Sequence, residues 1–166
     1  MIKKDIIDHL ISDWKNQRPE LDPSAMEIVG RVMQLGKKLE KSAGVALKDS
    51  GIYYTDLDVL ATLRRSGKPY LLTPKQLRES VLVTSGAMTA LLGRLEKMEL
   101  VYRSPDPKDG RIKAAALTKK GIAIIDKAIE VRFAEASQAV NGLSEKERKQ
   151  LIPLLKKLLF TVTSTT

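Results

Sequence analysis

The residue types able to do chemistry are few in this chain of 166 residues, and their scarcity is informative. Cysteine is absent and histidine occurs once, as His9. Thiolate nucleophiles, disulfides, thiol redox sensing and Cys-ligated zinc are excluded by the first fact. The second nearly excludes His-rich metal sites and a Ser-His-Asp triad, since His9 would have to serve alone from a helical N-terminus. Carboxylates such as Asp56 and Asp58 have the types needed for acid and base work, but no nucleophile, metal cluster or phosphate loop accompanies them. No catalytic residue, metal site or cofactor is therefore expected, and the enzyme reading is the weaker class.

The chemistry that remains is electrostatic. Between Ala61 and Gly121 there are 13 Lys and Arg against 5 Asp and Glu, a net of +8, whereas the rest of the chain nets only +1. A central basic block between near-neutral flanks is the pattern of a face that neutralises a polyanion, most often nucleic acid. A basic surface kept for solubility is the alternative. Within the block Arg103, Lys108, Arg111 and Lys113 lie around a dense run of turn residues, Ser104-Pro105-Asp106-Pro107-Lys108-Asp109-Gly110. Such a hairpin tip could reach a groove or the phosphates.

The elements that must position this block follow from periodicity and capping. Ile6, Ile7, Leu10, Ile11 and Trp14 recur at helical spacing within Lys3 to Lys15, and Asp22-Pro23 is a cap and first-turn proline for a second helix bearing Met26, Val29, Val32, Met33, Leu35 and Leu39. A third helix is expected from a Thr55 cap through Leu57, Leu60 and Leu63 to Ser66-Gly67. Tyr70-Leu71-Leu72 reads as a short strand. Thr73-Pro74-Lys75-Gln76 is a capping box opening a short helix. After the Thr84-Ser85-Gly86 turn, Met88, Leu91, Leu92, Leu95 and Met98 predict a helix of about 14 residues. Strands at Leu100 to Arg103 and Arg111 to Leu117 complete the order of a winged helix. Thr118 caps a helix with Ile122, Ile125, Ile129 and Phe133 on one face, and Ser144 with Glu147 boxes a last one carrying Leu151, Leu154, Leu155, Leu158 and Leu159, in which Pro153 predicts a kink. The fold expected is α+β and mostly helical, one domain with a winged helix-turn-helix core. No run reaches the roughly 20 apolar residues needed to span a bilayer. Met1 to Trp14 is not a signal-peptide core, so a cytoplasmic protein with no membrane partner is expected.

The words Leu-Thr-Pro-Lys-Gln-Leu (72–77), Thr-Ser-Gly-Ala-Met-Thr (84–89), Arg-Leu-Glu (94–96), Asp-Pro-Lys-Asp-Gly-Arg (106–111) and Leu-Thr-Lys-Lys-Gly (117–121) resemble the MarR family of bacterial winged-helix transcriptional regulators. The resemblance covers nearly the whole chain. It implies a single MarR-type domain over 1–166, with 1–50 and 122–166 as helices of a homodimer interface and 55–121 as the DNA-binding lobe. It implies that Thr84, Ser85, Ala87, Thr89 and Ala90 face base edges, with simple N-capping the alternative for Thr84 and Ser85. Arg111 would enter the minor groove, while Lys75, Lys108 and Lys113 would meet phosphates or stay solvated. Asp109 would orient the wing, with Arg94, itself counted on the DNA face, as its ion-pair partner. The partner implied is a double-stranded, pseudo-palindromic operator, and the activity a ligand-responsive regulator, most often a repressor. A nonspecific or architectural nucleic-acid-binding protein is the alternative that shares the basic block.

Trp14, Arg-Pro-Glu-Leu-Asp (18–22) and Asp-Val-Leu-Ala-Thr-Leu-Arg-Arg-Ser-Gly-Lys-Pro-Tyr (58–70) look like the urate-responsive, PecS-like branch. That likeness implies an aromatic or anionic effector at Trp14, Asp58 and Arg65. The branch's further arginine falls on Leu91, which shifts the expected preference away from urate toward a phenolic or other aromatic compound. The alternatives are a core role for Trp14 and a structural Asp58–Arg65 ion pair.

Overall fold

The computed structural model describes residues 3–81, 85–106 and 109–164, with Ser85 described for its backbone only. Leu82, Val83, Thr84, Pro107 and Lys108 lie outside the described residues. The chain divides into two compact units, Met1–Val45 and Ala46–Thr166.

In the first unit, helix α1 (Ile6–Gln17) starts three residues later than the hydrophobic spacing alone would place it, because Asp5 caps it. The Asp5 carboxylate accepts from the backbone N–H of Ile7 and Asp8 at 2.8 and 3.0 Å, and the Asp8 carboxylate accepts from Asp5 N–H at 2.8 Å, which satisfies donors the helix start leaves free. Helix α2 (Ser24–Ala46) follows a turn in which Asp22 accepts from Ser24 N–H at 3.0 Å. Ile7 sits against Gly30, where an added Cβ would stand 3.1 Å from the isoleucine Cδ1. Arg31 ties the two helices by pairing with Asp5 and Asp8.

The second unit opens with a 3-10 turn, Lys48–Ser50, and continues as α3 (Tyr54–Arg65), β1 (Leu71–Leu72), α4 (Pro74–Ser80), α5 (Ser85–Lys97), β2 (Val101–Pro105), β3 (Lys113–Leu117), α6 (Lys119–Ala139) and α7 (Glu145–Ser164). The strands form an antiparallel sheet in the order β1-β3-β2, with Leu71 opposite Ala116, Tyr102 opposite Ala116 and Pro105 opposite Lys113. The three alanines at the centre of the sheet, Ala114 to Ala116, are buried, so helices can pack close to β3. Leu57, Leu60, Leu63, Leu77, Met88, Leu92, Leu95 and Leu100 form the core that fixes α3, α4 and α5 against the sheet.

The cap of α3 differs from the Thr55 expectation. The N-cap lies two residues earlier, at Tyr53, and the group that closes the first turn is the Asp56 carboxylate, accepting from Tyr53 N–H at 2.8 Å. A carboxylate there satisfies a free donor and also sits favourably at the positive end of the helix dipole. The box at Thr73 and Gln76 forms as expected, with Gln76 Oε1 accepting from Thr73 N–H at 2.8 Å. Helix α5 ends in a Schellman arrangement: Leu100 N–H donates to Leu95 O and Glu99 N–H to Glu96 O, both at 2.9 Å, with Glu99 at φ 60.

Immediately afterwards Thr118 caps α6 by accepting from Gly121 N–H at 2.9 Å, while its hydroxyl donates to Glu99 O at 2.7 Å. Gly121 gives the Leu-Thr-Lys-Lys-Gly word its physical reason: a Cβ there would stand 2.0 Å from the Leu100 carbonyl oxygen. Only glycine lets α6 start this close to the end of α5. Ile125 is buried and Ile122 and Ile129 pack on the core, but Phe133, expected on the same stripe, is exposed. Helix α7 runs on through Pro153 and has no buried residue, leaving Leu151, Leu154, Leu155, Leu159 and Phe160 exposed.

Candidate nucleic-acid interface and ligand-facing residues

Burial sorts the first turns of α5 by face. Met88 and Leu92 point into the core, whereas Gly86, Ala87, Thr89 and Ala90 are exposed. Small residues on a helix start allow close approach to a base edge, and a threonine hydroxyl can donate or accept there. Thr84, the Ser85 side chain and Lys108 fall outside the described residues. Lys75 is exposed in the first turn of α4, and Lys113 is exposed at the start of β3.

The wing tip is built by carboxylates binding backbone. Asp106 accepts from Asp109 N–H at 3.0 Å, Asp109 accepts from Arg111 N–H at 3.1 Å, and Asp106 N–H donates to Ile112 O at 2.8 Å. Asp109 also meets Arg111 Nε at 3.2 Å. This is the geometry of a side chain that shapes the turn. Arg111 itself extends into solvent, its side chain 92% exposed.

Two expected roles need correction. The Asp109–Arg94 pair does not form, since Asp109 is engaged with Arg111 and Arg94 donates to Asp56. Arg94 also lies over the Tyr53 ring, with Cζ 4.2 Å from its centroid, and so locks α5 to the start of α3. Arg103, counted among the hairpin's free cations, donates to Glu96 at 3.1 Å. Arg64 pairs with Asp126 at 2.7 Å. Asp56 and Asp126 lie outside the basic block, so the net charge of +8 along the chain overstates what the surface offers. Among the described residues of the expected DNA set, Lys75, Arg111 and Lys113 are the exposed cations whose heads are not held on another element.

The ligand-facing residues divide between the units. Trp14, 55% exposed, lines an apolar cavity of about 400 Å³ with Ile7, Leu10, Ile11, Leu21, Pro23 and Met26, and Asp22 at its edge. In the second unit Asp58 is half-buried on α3. Burial pushes its carboxyl above the ordinary value, against the pull of the Arg132 and Arg65 guanidiniums. The alternative Asp58–Arg65 ion pair is not made: Arg65 Nη2 donates to Thr62 Oγ1 and to the Ser80 carbonyl, each at 3.2 Å. Leu91 packs on the core and brings no charge. Arg132 was not singled out by sequence reasoning, yet a signal existed, because Ile122, Ile125 and Ile129 lead by steps of three and four to position 132, where an arginine stands on the apolar stripe. Among the described residues no group of His, Cys, Asp and Glu is placed to hold a metal ion, and no helix is long and apolar enough to cross a membrane.

Comparison with known proteins bears on this arrangement directly. The MarR family matches residues 50–112, from the 3-10 turn to the wing tip. The transcriptional regulator PecS of Dickeya dadantii is 27% identical over 92% of this chain and 92% of its own length. YkoM of Bacillus subtilis, an uncharacterized transcriptional regulator, is 36% identical over 66% of this chain and 70% of its own. Among solved structures, a mutant MarR from E. coli complexed with operator DNA superimposes with a TM-score of 0.73 at 25% identity, covering 82% of this chain and 96% of that one. With a relative above 30% identity covered over more than two thirds of its length, and the same fold seen on DNA, the chain belongs to the MarR family of DNA-binding transcriptional regulators, which are not enzymes.

Proposed function

We propose that this regulator is a cytoplasmic homodimer that represses transcription from a pseudo-palindromic operator and is released by a small aromatic or anionic effector. The observation that carries the reading is the pairing of an α5 start made of exposed small residues with a hairpin whose tip arginine, Arg111, is almost fully solvent-exposed. One element is shaped to lie in a major groove, the other to reach the adjoining minor groove, whose negative potential attracts a guanidinium. Residues 55–121 are the DNA-binding lobe, with Thr84, Ser85, Ala87, Thr89 and Ala90 toward bases, and Lys75, Lys108 and Lys113 toward phosphates. Residues 1–50 and 122–166 are assigned to dimerisation, for which the largely exposed apolar face of α7 is the support.

Two recognition helices related by a two-fold axis must fit successive major grooves about 34 Å apart. An effector releases DNA only by binding more tightly to a dimer that does not fit that repeat. Trp14, Asp58 and Arg65 are the residues assigned to it. The test is a titration of the dimer with its own promoter region and with random duplex, at two salt concentrations, with and without urate or salicylate. Tight promoter binding that salt weakens and one ligand releases is expected. Equal affinity for both duplexes would make the protein an architectural one instead.

A further inference from the structure

We propose that Arg132 on α6 supplies, together with Arg65 on α3, the guanidinium pair of a site on the packed α3–α6 face that takes a small planar anion, such as an aromatic carboxylate. The proposal rests on the effector reading above in one respect, that the ligand meets α3 at Asp58 and Arg65.

Tyr54, Asp58 and Arg65 stand four and seven positions apart, which puts them on one face of α3. Helix α6 packs against α3 and brings Arg132 to that face, its Cζ 6.0 Å from the Tyr54 ring centroid. Asp58 feels both guanidiniums, yet among the described residues it is ion-paired to neither. Each arginine is anchored through one end of its fork. Arg132 uses Nη1 on Glu135, a side chain only 10% exposed, and Arg65 uses Nη2 on Thr62 and Ser80. The Nε and the remaining Nη of both have no partner among the described residues.

A purely structural partner for Glu135 needs one donor, and a lysine would serve. Five fixed donors, with part of the fork left open, suit a planar carboxylate, and the guanidinium plane also stacks on aromatic faces. The charge balance points the same way. Arg65 and Arg132 are the positive charge of this face, and burial disfavours the charged form of Asp58, the carboxylate on which both act, so Asp58 competes weakly with an incoming anion. Leu91, packed on the core, cannot provide that charge.

The test uses the full-length dimer and direct calorimetric titration with salicylate, benzoate, urate and the neutral isostere salicylamide. Glu135 would be left buried and unpaired by losing Arg132 alone, so Arg132→Gln is made together with Glu135→Gln, and Glu135→Gln alone is the reference. The expected result is at least about a tenfold loss of salicylate affinity from the added Arg132 change. Salicylamide binding should stay within twofold, and melting temperature and ligand-free DNA affinity should be unchanged. If Arg65→Gln weakens salicylate but the Arg132 change does not, the effector site stands and the proposal falls. An equal loss for salicylate and salicylamide assigns Arg132 to packing and also overturns it. If the wild type binds none of the three anions, the effector reading fails and takes the proposal with it.

Discussion

Removing Arg94 tests the reading that this arginine is a clamp between helices. Its partner Asp56 is fully buried, and among the described residues the only other donor to that carboxylate is Tyr53 N–H, at 2.8 Å, while Oδ1 has no partner. Breaking a buried pair from one side typically costs about 3 to 5 kcal/mol, because the remaining charge stays out of water. Arg94 is about a third exposed and Asp56 keeps one hydrogen bond at a helix N-terminus, so Arg94→Met is placed at the lower end, about 3 kcal/mol. The opposite deletion is milder. Asn at position 56 can still accept from Tyr53 N–H, and Arg94 can turn to solvent, so Asp56→Asn should cost about 1.5 kcal/mol. The double variant should be close to Asp56→Asn alone, a coupling of about 3 kcal/mol. Urea unfolding at one fixed protein concentration is the assay, since the stability of the proposed dimer would depend on concentration. With a slope of about 1.5 to 2 kcal/mol/M, Arg94→Met should move the midpoint down by about 1.5 to 2 M. Two results would refute the reasoning: equal costs for the two single variants, or an Arg94→Met protein that keeps its stability but loses DNA affinity, as a direct DNA contact would.

Other expectations follow from single features. Arg111→Ala should weaken operator binding and lower the salt slope by about one charge equivalent, with sedimentation still reporting a dimer; full affinity would remove Arg111 from the interface. Gly121→Ala drives a methyl against the Leu100 carbonyl and should cost about 2 to 3 kcal/mol in urea, whereas Gly142→Ala, with open space around it, should stay far below that. For Asp58 the fold favours the neutral form. Its contribution to stability is therefore complete below the ordinary value of 3.8 and is lost as pH rises through the higher folded value. Asp58→Asn should match the wild type in melting temperature near pH 3.5 and exceed it by a margin that grows toward pH 7; a gap that shrinks with pH would reverse the sign of the shift.

Local signals in the sequence were reliable where the chemistry is local. Thr73 with Gln76, Thr118 before Gly121 and Ser144 with Glu147 each close a helix start within four residues, and each forms as the spacing requires. Thr55 failed for an equally local reason, since Asp56 in the adjacent position is the stronger acceptor and serves the preceding backbone N–H. Side-chain pairing across the fold was not legible. Asp56 and Arg94 are 38 residues apart, and Arg64 and Asp126 are 62 apart, so nothing in the spacing distinguishes these arginines from cations turned toward solvent. The wing was the exception, because Asp106, Asp109 and Arg111 shape it within one turn.

Asp56 and Asp58 stand two positions apart on α3 and therefore face different neighbours. Asp56 is tied to Arg94 on the recognition helix, while Asp58 lies in the field of Arg132 on α6. Helix α6 is in turn fixed to the end of α5 by Thr118, Lys120 and the close approach at Gly121, with Lys120 Nζ donating to Met98 O at 2.9 Å. The recognition helix is thus held near its C-terminal half through α3 and through the start of α6, besides the Arg103–Glu96 pair from β2. On the proposed reading, an anion bridging Arg65 and Arg132 would act on both supporting helices at once. Because the α5 attachments are a buried ion pair and a glycine contact that admits no extra methyl, α5 has little room to follow one support without the other. A change in the α3–α6 spacing would then be passed to the orientation of the exposed Ala87, Thr89 and Ala90 face, which is the property a paired major-groove site measures.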